Sequence, residues 1–289
     1  MKVLLDTDIG SDIDDAICLT YLLAQPECDL LGVTTVSGEV EARAALASAI
    51  CKQVGREVPI HAGLDDPLDG RQLQPEAPQK EALARWDHDA GFEKGAAIGF
   101  LAETVRAHPG EVVLLTIGPL TNVGALFETH PDVPGLLRGL VMMAGDFRRG
   151  AGRGKREEWN VRCDPEAAAR VYAEPVATHR SVGLNVTVRV QLPADEVRKR
   201  CAHPRWKPAL DMAEVWFRER PILLFHDPLA GACLFDASTL EWNRGTVRVG
   251  CEGEDRGSTT LESAADGPHE AASFVHPERF FEHFFAVTG

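Results

Sequence analysis

The sequence predicts an α/β domain with a mostly parallel central sheet flanked by helices. Three observations carry that reading. Short apolar runs alternate with helical patterns, polar or glycine-bearing turns close several of the runs, and no composition break marks a linker. The first strand is expected at Val3–Leu5, and Asp14–Ala24 follows as a helix with acidic residues at its favourable end. The pattern repeats with strand Leu30–Val36 and helix Glu39–Val54, then strand Val112–Ile117 and helix Leu120–His130. Strand Leu140–Ala144 precedes helix Pro165–Ala173, and strand Ser181–Leu184 precedes helix Ala194–Cys201. Helix Asp227–Phe235, strand Thr246–Val249 and helix Pro277–Phe285 complete the series. Three stretches, 63–80, 145–157 and 252–270, read as loops. With no internal repeat, residues 1–289 are expected to form one domain with elaborated loops.

Composition narrows the function classes. Hydrophobic residues make up 44% of the 289, enough for a sizeable core. No run approaches the roughly 18 apolar residues of a membrane span. Strand-like residues begin almost at once, so no signal peptide is expected. Seven cysteines without a C-x-x-C pair predict buried thiols in a reducing cytoplasm. A net charge of −14 argues against nucleic acid, whose phosphates need clustered Lys and Arg. Small molecules are the expected partners.

Ligands of an open α/β sheet bind beyond the carboxyl ends of its strands. Behind the first strand, "LLDTDIGSDIDDA" places Asp6, Asp8, Asp12, Asp14 and Asp15 within ten positions. Later strands end in "TTVSGE", "TIGPLTN" and "MMAGDF". Some of the aspartates suit a helix N-terminus, but Asp6 and Asp8 face the same turn and need another explanation. A hard divalent cation with six to eight oxygen ligands would neutralise the group. The absence of clustered His and Cys disfavours zinc, and calcium suits carbonyls and irregular geometry better than magnesium. Far downstream, "LLFHDPLAGACLF" opens a helix with His226 and Asp227. Read alone, this pair is a helix cap. Read with the acidic turn, it supplies a further carboxylate and a proton donor beside a substrate.

These segments, with "EEWNVRCDPEAA" and the closing "HPERFFEHFF", follow the order found in inosine–uridine-preferring nucleoside hydrolases, and the sequence resembles that family nearly end to end. The resemblance implies a Rossmann-like domain, a bound calcium ion and hydrolysis of N-ribosidic bonds. It further implies that Asp8, Asp15, Asp227 and the backbone carbonyl of Thr121 bind the ion, with Asp8 also the general base. Asp14 would contact a ribose hydroxyl, Asn160 with Glu158 or Glu157 would hold the sugar from the other side, and Met143 would line its pocket. His226 would stand near the leaving base, and Asp6 would support the site from behind. Homodimers or homotetramers are expected. The implied chemistry is coherent: C–N cleavage develops oxocarbenium character, which surrounding negative charge favours.

Three departures from the family pattern bear on sugar recognition. Glu39 replaces a ribose-contacting asparagine, Ala151 stands near the place of another, and two extra residues separate Gly10 from Asp14 and Asp15. Glu39 can still accept from a hydroxyl. Between the sugar segments lie Arg148, Arg149, Arg153, Lys155 and Arg156, read either as a solvated loop or as a site for a 5′-phosphate. Trp216, Phe217, Trp86 and His88 are candidates for stacking on the base. Two other classes compete: a non-catalytic nucleoside- or ribose-binding module, and a haloacid dehalogenase-like phosphatase using the opening DxD.

Overall fold

The computed structural model describes residues 1–148 and 157–288. The strands are β1 (Lys2–Thr7), β2 (Asp29–Thr35), β3 (Ile60–Ala62), β4 (Val112–Thr116), β5 (Gly139–Met143), β6 (His179–Val182), β7 (Gln191–Pro193), β8 (Ile222–Leu224), β9 (Leu240–Val249), β10 (Thr259–Ser263) and β11 (His269–Val275). Nine of them form one sheet in the order β10-β9-β11-β6-β5-β4-β1-β2-β3, and β7 pairs with β8 in a separate ribbon. From β3 to β11 every neighbouring pair is parallel; β9 and β10 extend the sheet by antiparallel pairing. The expected mostly parallel sheet is present.

Alternation along the central strands explains their unbroken apolar runs. Val3 and Leu5 of β1 join one hydrophobic cluster, while Leu4 joins the other. Val113 and Leu115 of β4 likewise face one cluster, and Val112 and Leu114 the other. Because helices cover both faces, every residue of these strands but Lys2 is buried, as in other parallel sheets. The helix Asp14–Ala24 is itself buried from Asp14 to Leu23, packed against the sheet and the helix His226–Ala232.

Expected strands and helices fall within three residues of their observed bounds, except that β9 begins at Leu240, six residues before its expected start. The chain also forms elements the sequence pattern concealed. Helix Lys207–Phe217 carries a proline in its first turn, where the missing N–H costs nothing. Helix Ala96–Ala107 holds an internal glycine. The stretch 252–270, expected as loop, contains β10, whose side chains are mostly exposed on the sheet's edge. Of the basic loop, residues 149–156 lie outside the described residues, and with them Ala151; Arg148 pairs with Asp146.

The order β3-β2-β1-β4-β5-β6 reverses direction between β1 and β4, the switch point where ligands of this architecture bind. The aspartate turn leaves β1 at that point. Gly10 is required there: its φ is +115°, and a Cβ would lie 2.6 Å from Leu46 Cδ1.

At the opposite end of the strands, His179 on β6 faces His269 on β11. His269 accepts from the Val247 N–H at 2.9 Å and donates to the Tyr172 carbonyl at 3.0 Å, so its ring is neutral. Neither nitrogen of His179 has a partner among the described residues, and burial pushes its pKa down to about 3. As pH falls below about 6.5, the unfolded chain takes a proton at this position that the folded chain refuses. Stability is therefore lost between about pH 6.5 and 3. Urea melts at pH 7 and 4.5 should show His179→Phe losing less midpoint than the wild type; equal losses would remove His179 from the acid response.

Candidate active site

A cavity of about 550 Å³ opens beyond the carboxyl ends of β1, β4 and β5. Asp8, Asp14, Asp15, Asp227, His226, Met143, Glu157, Glu158 and Asn160 line it, so nine of the expected site residues converge on one space. Asp14, Asp15 and Asp227 are buried and each offers an oxygen within 4.8 Å of the others. Helix starts supply all three: two from Asp14–Ala24 and one from His226–Ala232. The Asp227 N–H donates to Asp14 Oδ2 at 3.1 Å, and the Thr7 hydroxyl donates to Asp15.

Burial, reinforced by mutual repulsion, raises the pKa of Asp14, Asp15 and Asp227 well above the usual range. Burial also raises Asp8, opposed by the Arg43 guanidinium. Four buried carboxylates around one cavity must hold protons or share a cation. The donor set is oxygen alone, which fits a hard divalent ion such as calcium.

Asp6 lies behind this cluster. One of its oxygens accepts from the Thr34 hydroxyl and, at 2.7 Å, from Asn122; the other has no partner among the described residues, and burial pushes its pKa up to about 7. It ties β2 and the first turn of helix Thr121–Thr129 to β1.

The sugar-side residues have distinct tasks. Asn160 spends both N–H donors on the carbonyls of Ile117 (2.8 Å) and Met143 (3.0 Å), so only its Oδ1 remains for a ligand. Glu158 caps its own helix by accepting from the Asn160 and Val161 N–H groups, and it also accepts from Gly145. Burial still carries its pKa up to about 7. Glu157 is nearer the surface and pairs with Arg162 at 3.3 Å.

His226 Nδ1 lies 2.7 Å from the Thr187 hydroxyl. Burial lowers its pKa to about 4, so the ring that lines the cavity is neutral at physiological pH. It can give a hydrogen bond, but it is not a standing imidazolium.

Two expected residues lie elsewhere. Glu39 accepts from the Ala77 N–H at 2.8 Å and pairs with Lys80, which lowers its pKa; it does not line the cavity. Thr121 also stays outside, its hydroxyl donating to Asp164 at 2.7 Å. Ile117 is the residue of that turn which reaches the cavity. Among the aromatic candidates only Trp216 lines it. Phe217 is in the core, Trp86 donates to Asp211, and His88 folds back on the Trp86 carbonyl.

Sequence reasoning missed Arg43, Gln74 and Trp159. Arg43 is fully buried, and its guanidinium donates to the carbonyls of Asp8, Ile9, Ser37, Gly38 and Glu76 and to the Ser11 hydroxyl. A lone arginine in the alanine-rich "EARAALASAI" was the available signal, since a fully buried arginine is rare without such a set of acceptors. Gln74 donates to Asp8 and accepts from Trp159 at 2.6 Å.

The family model described as inosine-uridine preferring nucleoside hydrolase matches residues 3–282. Uridine nucleosidase 1 from Arabidopsis thaliana is 28% identical over 284 residues, covering 90% of this chain and 82% of the relative. Two solved structures share the fold, each with 23% identity and a TM-score of 0.85. A plant nucleoside hydrolase, the PpNRh1 enzyme, aligns over 99% of this chain and 98% of its own. The purine-preferring ribonucleoside hydrolase from Gardnerella vaginalis aligns over 100% and 98%.

Proposed function

The chain belongs to the inosine-uridine preferring nucleoside hydrolase family, and from that premise we propose that it hydrolyses the N-glycosidic bond of ribonucleosides at a calcium-dependent site. The observation that carries the site is the convergence of buried Asp14, Asp15 and Asp227 within 4.8 Å in a cavity also lined by Asp8. Asp8, Asp15 and Asp227 would hold the ion, and Asp14 would face the ribose hydroxyls. For the carbonyl ligand, the position of Ile117 on the cavity favours it over the expected Thr121. Bound there, calcium would offset the carboxylates' charge, grip ribose hydroxyls and make a water more acidic.

The residues of the chain account for the remaining steps. The C1′–N bond breaks as water attacks C1′; the water's proton passes to Asp8, the base leaves with the bonding electron pair and takes up a proton, and ribose and free base result. Positive charge grows on the sugar, and the carboxylates around it lower that barrier. Asn160 Oδ1 and the Glu158 carboxylate accept from sugar hydroxyls, which orients C1′ for attack. Neutral His226 donates a hydrogen bond to the departing base. Relatives named for uridine and a fold neighbour named for purines support nucleosides as the class without selecting a base.

Seven free cysteines support a reducing compartment, which we propose is the cytoplasm. Among the described residues no helix is long and apolar enough to cross a membrane. A homo-oligomer and a single domain over 1–289 complete the proposal.

The test is release of reducing sugar from uridine, inosine and p-nitrophenyl riboside. Ribose from a nucleoside supports the hydrolase. Binding without turnover would favour a nucleoside-binding module, and phosphate released from a phosphoester would favour the phosphatase. His226→Ala should cost about 10²-fold on nucleosides but less than about tenfold on p-nitrophenyl riboside, whose leaving group needs little protonation. Because the ring is neutral above about pH 4, the wild-type rate should show no His226 ionisation between pH 5 and 8. Equal losses on both substrates would remove His226 from the leaving-group role.

A further inference from the structure

Residues 72–80 form a strap across the aspartate turn, and its attachments are unusually polar. Gln79 donates through its side chain to the carbonyls of Ser11 (3.0 Å) and Asp12 (2.9 Å), and its backbone N–H donates to Gly10 at 3.0 Å. The Ala77 N–H and Lys80 bind Glu39, and Arg43 donates to the Glu76 carbonyl at 3.2 Å. Gln72 holds the strap's other end, bonding to the Asp65 carbonyl and accepting from the Gln74 N–H at 2.6 Å. Glu39 therefore serves the strap from outside the cavity.

Gln74 is the strap residue that bonds to Asp8. Its Nε2 donates to Asp8 Oδ2, and its Oε1 accepts from Trp159 Nε1, 85 residues along the chain. An indole N–H can only donate, and an ionised carboxylate can only accept. The amide between them therefore has one orientation and cannot flip without losing both bonds. Gln74 is almost fully buried, whereas Trp159 is 41% exposed, and both line the cavity. The chain of bonds runs from the cavity's rim to a carboxylate at its floor.

We propose that Gln74 is a positioning residue for the hydrolysis, holding one oxygen of Asp8 so that the other faces the ion and the attacking water, with Trp159 fixing the amide's orientation. This inference rests on the reading of the cavity as a nucleoside hydrolase site. Substrate entering beside Trp159 meets an indole whose N–H is already committed, so the rim is fixed before the sugar arrives. Pre-organisation of this kind acts on kcat, because it orients a group that works in the transition state rather than one that merely binds.

The test compares Gln74→Leu, Trp159→Phe and the double variant with the wild type, using calcium-loaded protein and a nucleoside that the wild type cleaves. Removing a charge-assisted bond to Asp8 should lower kcat about tenfold to hundredfold in Gln74→Leu, with KM changed less than about threefold. Trp159→Phe keeps an aromatic ring but removes the donor, so it should lower kcat by part of that amount and raise KM as well. In the double variant kcat should equal that of Gln74→Leu, because both substitutions break one chain of bonds. Gln74→Asn, which shortens the side chain but keeps the amide, should recover part of kcat if Gln74→Leu folds poorly. Wild-type kcat in Gln74→Leu, or additive kcat losses in the double variant, would overturn the inference alone. A wild type that releases no ribose would overturn the reading of the site and this inference with it.

Discussion

Asp8→Asn should fold, melt within a few degrees of the wild type and lose about 10²- to 10⁴-fold in kcat. The fold survives because Asn has the same size and its oxygen still accepts from the Gln74 amide. The backbone around it is held independently, since Arg43 donates to the carbonyls of Asp8 and Ile9. Catalysis fails for two reasons: a neutral amide cannot take a proton from water, and it is a weaker oxygen ligand than a carboxylate. Stopped assays for ribose, with thermal melts alongside, separate the causes. A normal melting curve with kcat unchanged would remove Asp8 as the base.

Asp227→Asn should produce a crossed pattern of stability. In the metal-free chain Asp14, Asp15 and Asp227 have pKa values raised by burial first and by repulsion from the neighbouring aspartates, Asp8 and Asp12 included, second. A carboxyl whose folded pKa lies above its unfolded value stabilises the fold below the unfolded value, near pH 4, and that contribution is lost as pH rises through the folded pKa. In the metal-free wild type the contribution of these three groups should thus fall as pH rises above about 4, opposite in sign to that of His179. Removing one charge relieves the other two, so metal-free Asp227→Asn should be more stable than metal-free wild type at pH 8. Calcium should reverse the order. At a concentration of 100 times Kd it would stabilise the wild type by about 2.7 kcal/mol, and the variant by far less. Activity should follow the calcium-bound order. Melts at pH 5 and 8, with chelator and with excess calcium, check each element, and parallel curves for the two proteins would contradict the account.

These two residues illustrate what was legible in the sequence. The acidic turn and the late His-Asp pair are local and chemically unusual, so their roles stand out against ordinary surface composition. The parallel sheet was equally legible, because strands buried on both faces carry unbroken apolar runs, as Val3–Leu5 of β1 and Val112–Leu115 of β4 do. Residues whose importance depends on distant partners were not. Arg43 looks like a surface residue of a helix until the carbonyls of three separate loops are seen around it. Gln74 sits in a stretch read as loop, and nothing local announces that its amide bridges Asp8 and Trp159. Thr121 and Glu39 show the opposite difficulty. Their motif positions suggested a carbonyl on the ion and a contact to ribose, whereas neither residue lines the cavity and the Glu39 side chain is bound to Lys80.

The central claim is that the carboxylates at the switch point form one divalent-cation site on which ribonucleoside hydrolysis depends. Elemental analysis of protein purified without chelators, with ribose release measured on the same sample before and after stripping, tests it most directly. The account predicts about one calcium ion per chain, activity lost on stripping, and activity restored when calcium is returned. A metal-free sample that releases ribose at the full rate would contradict it.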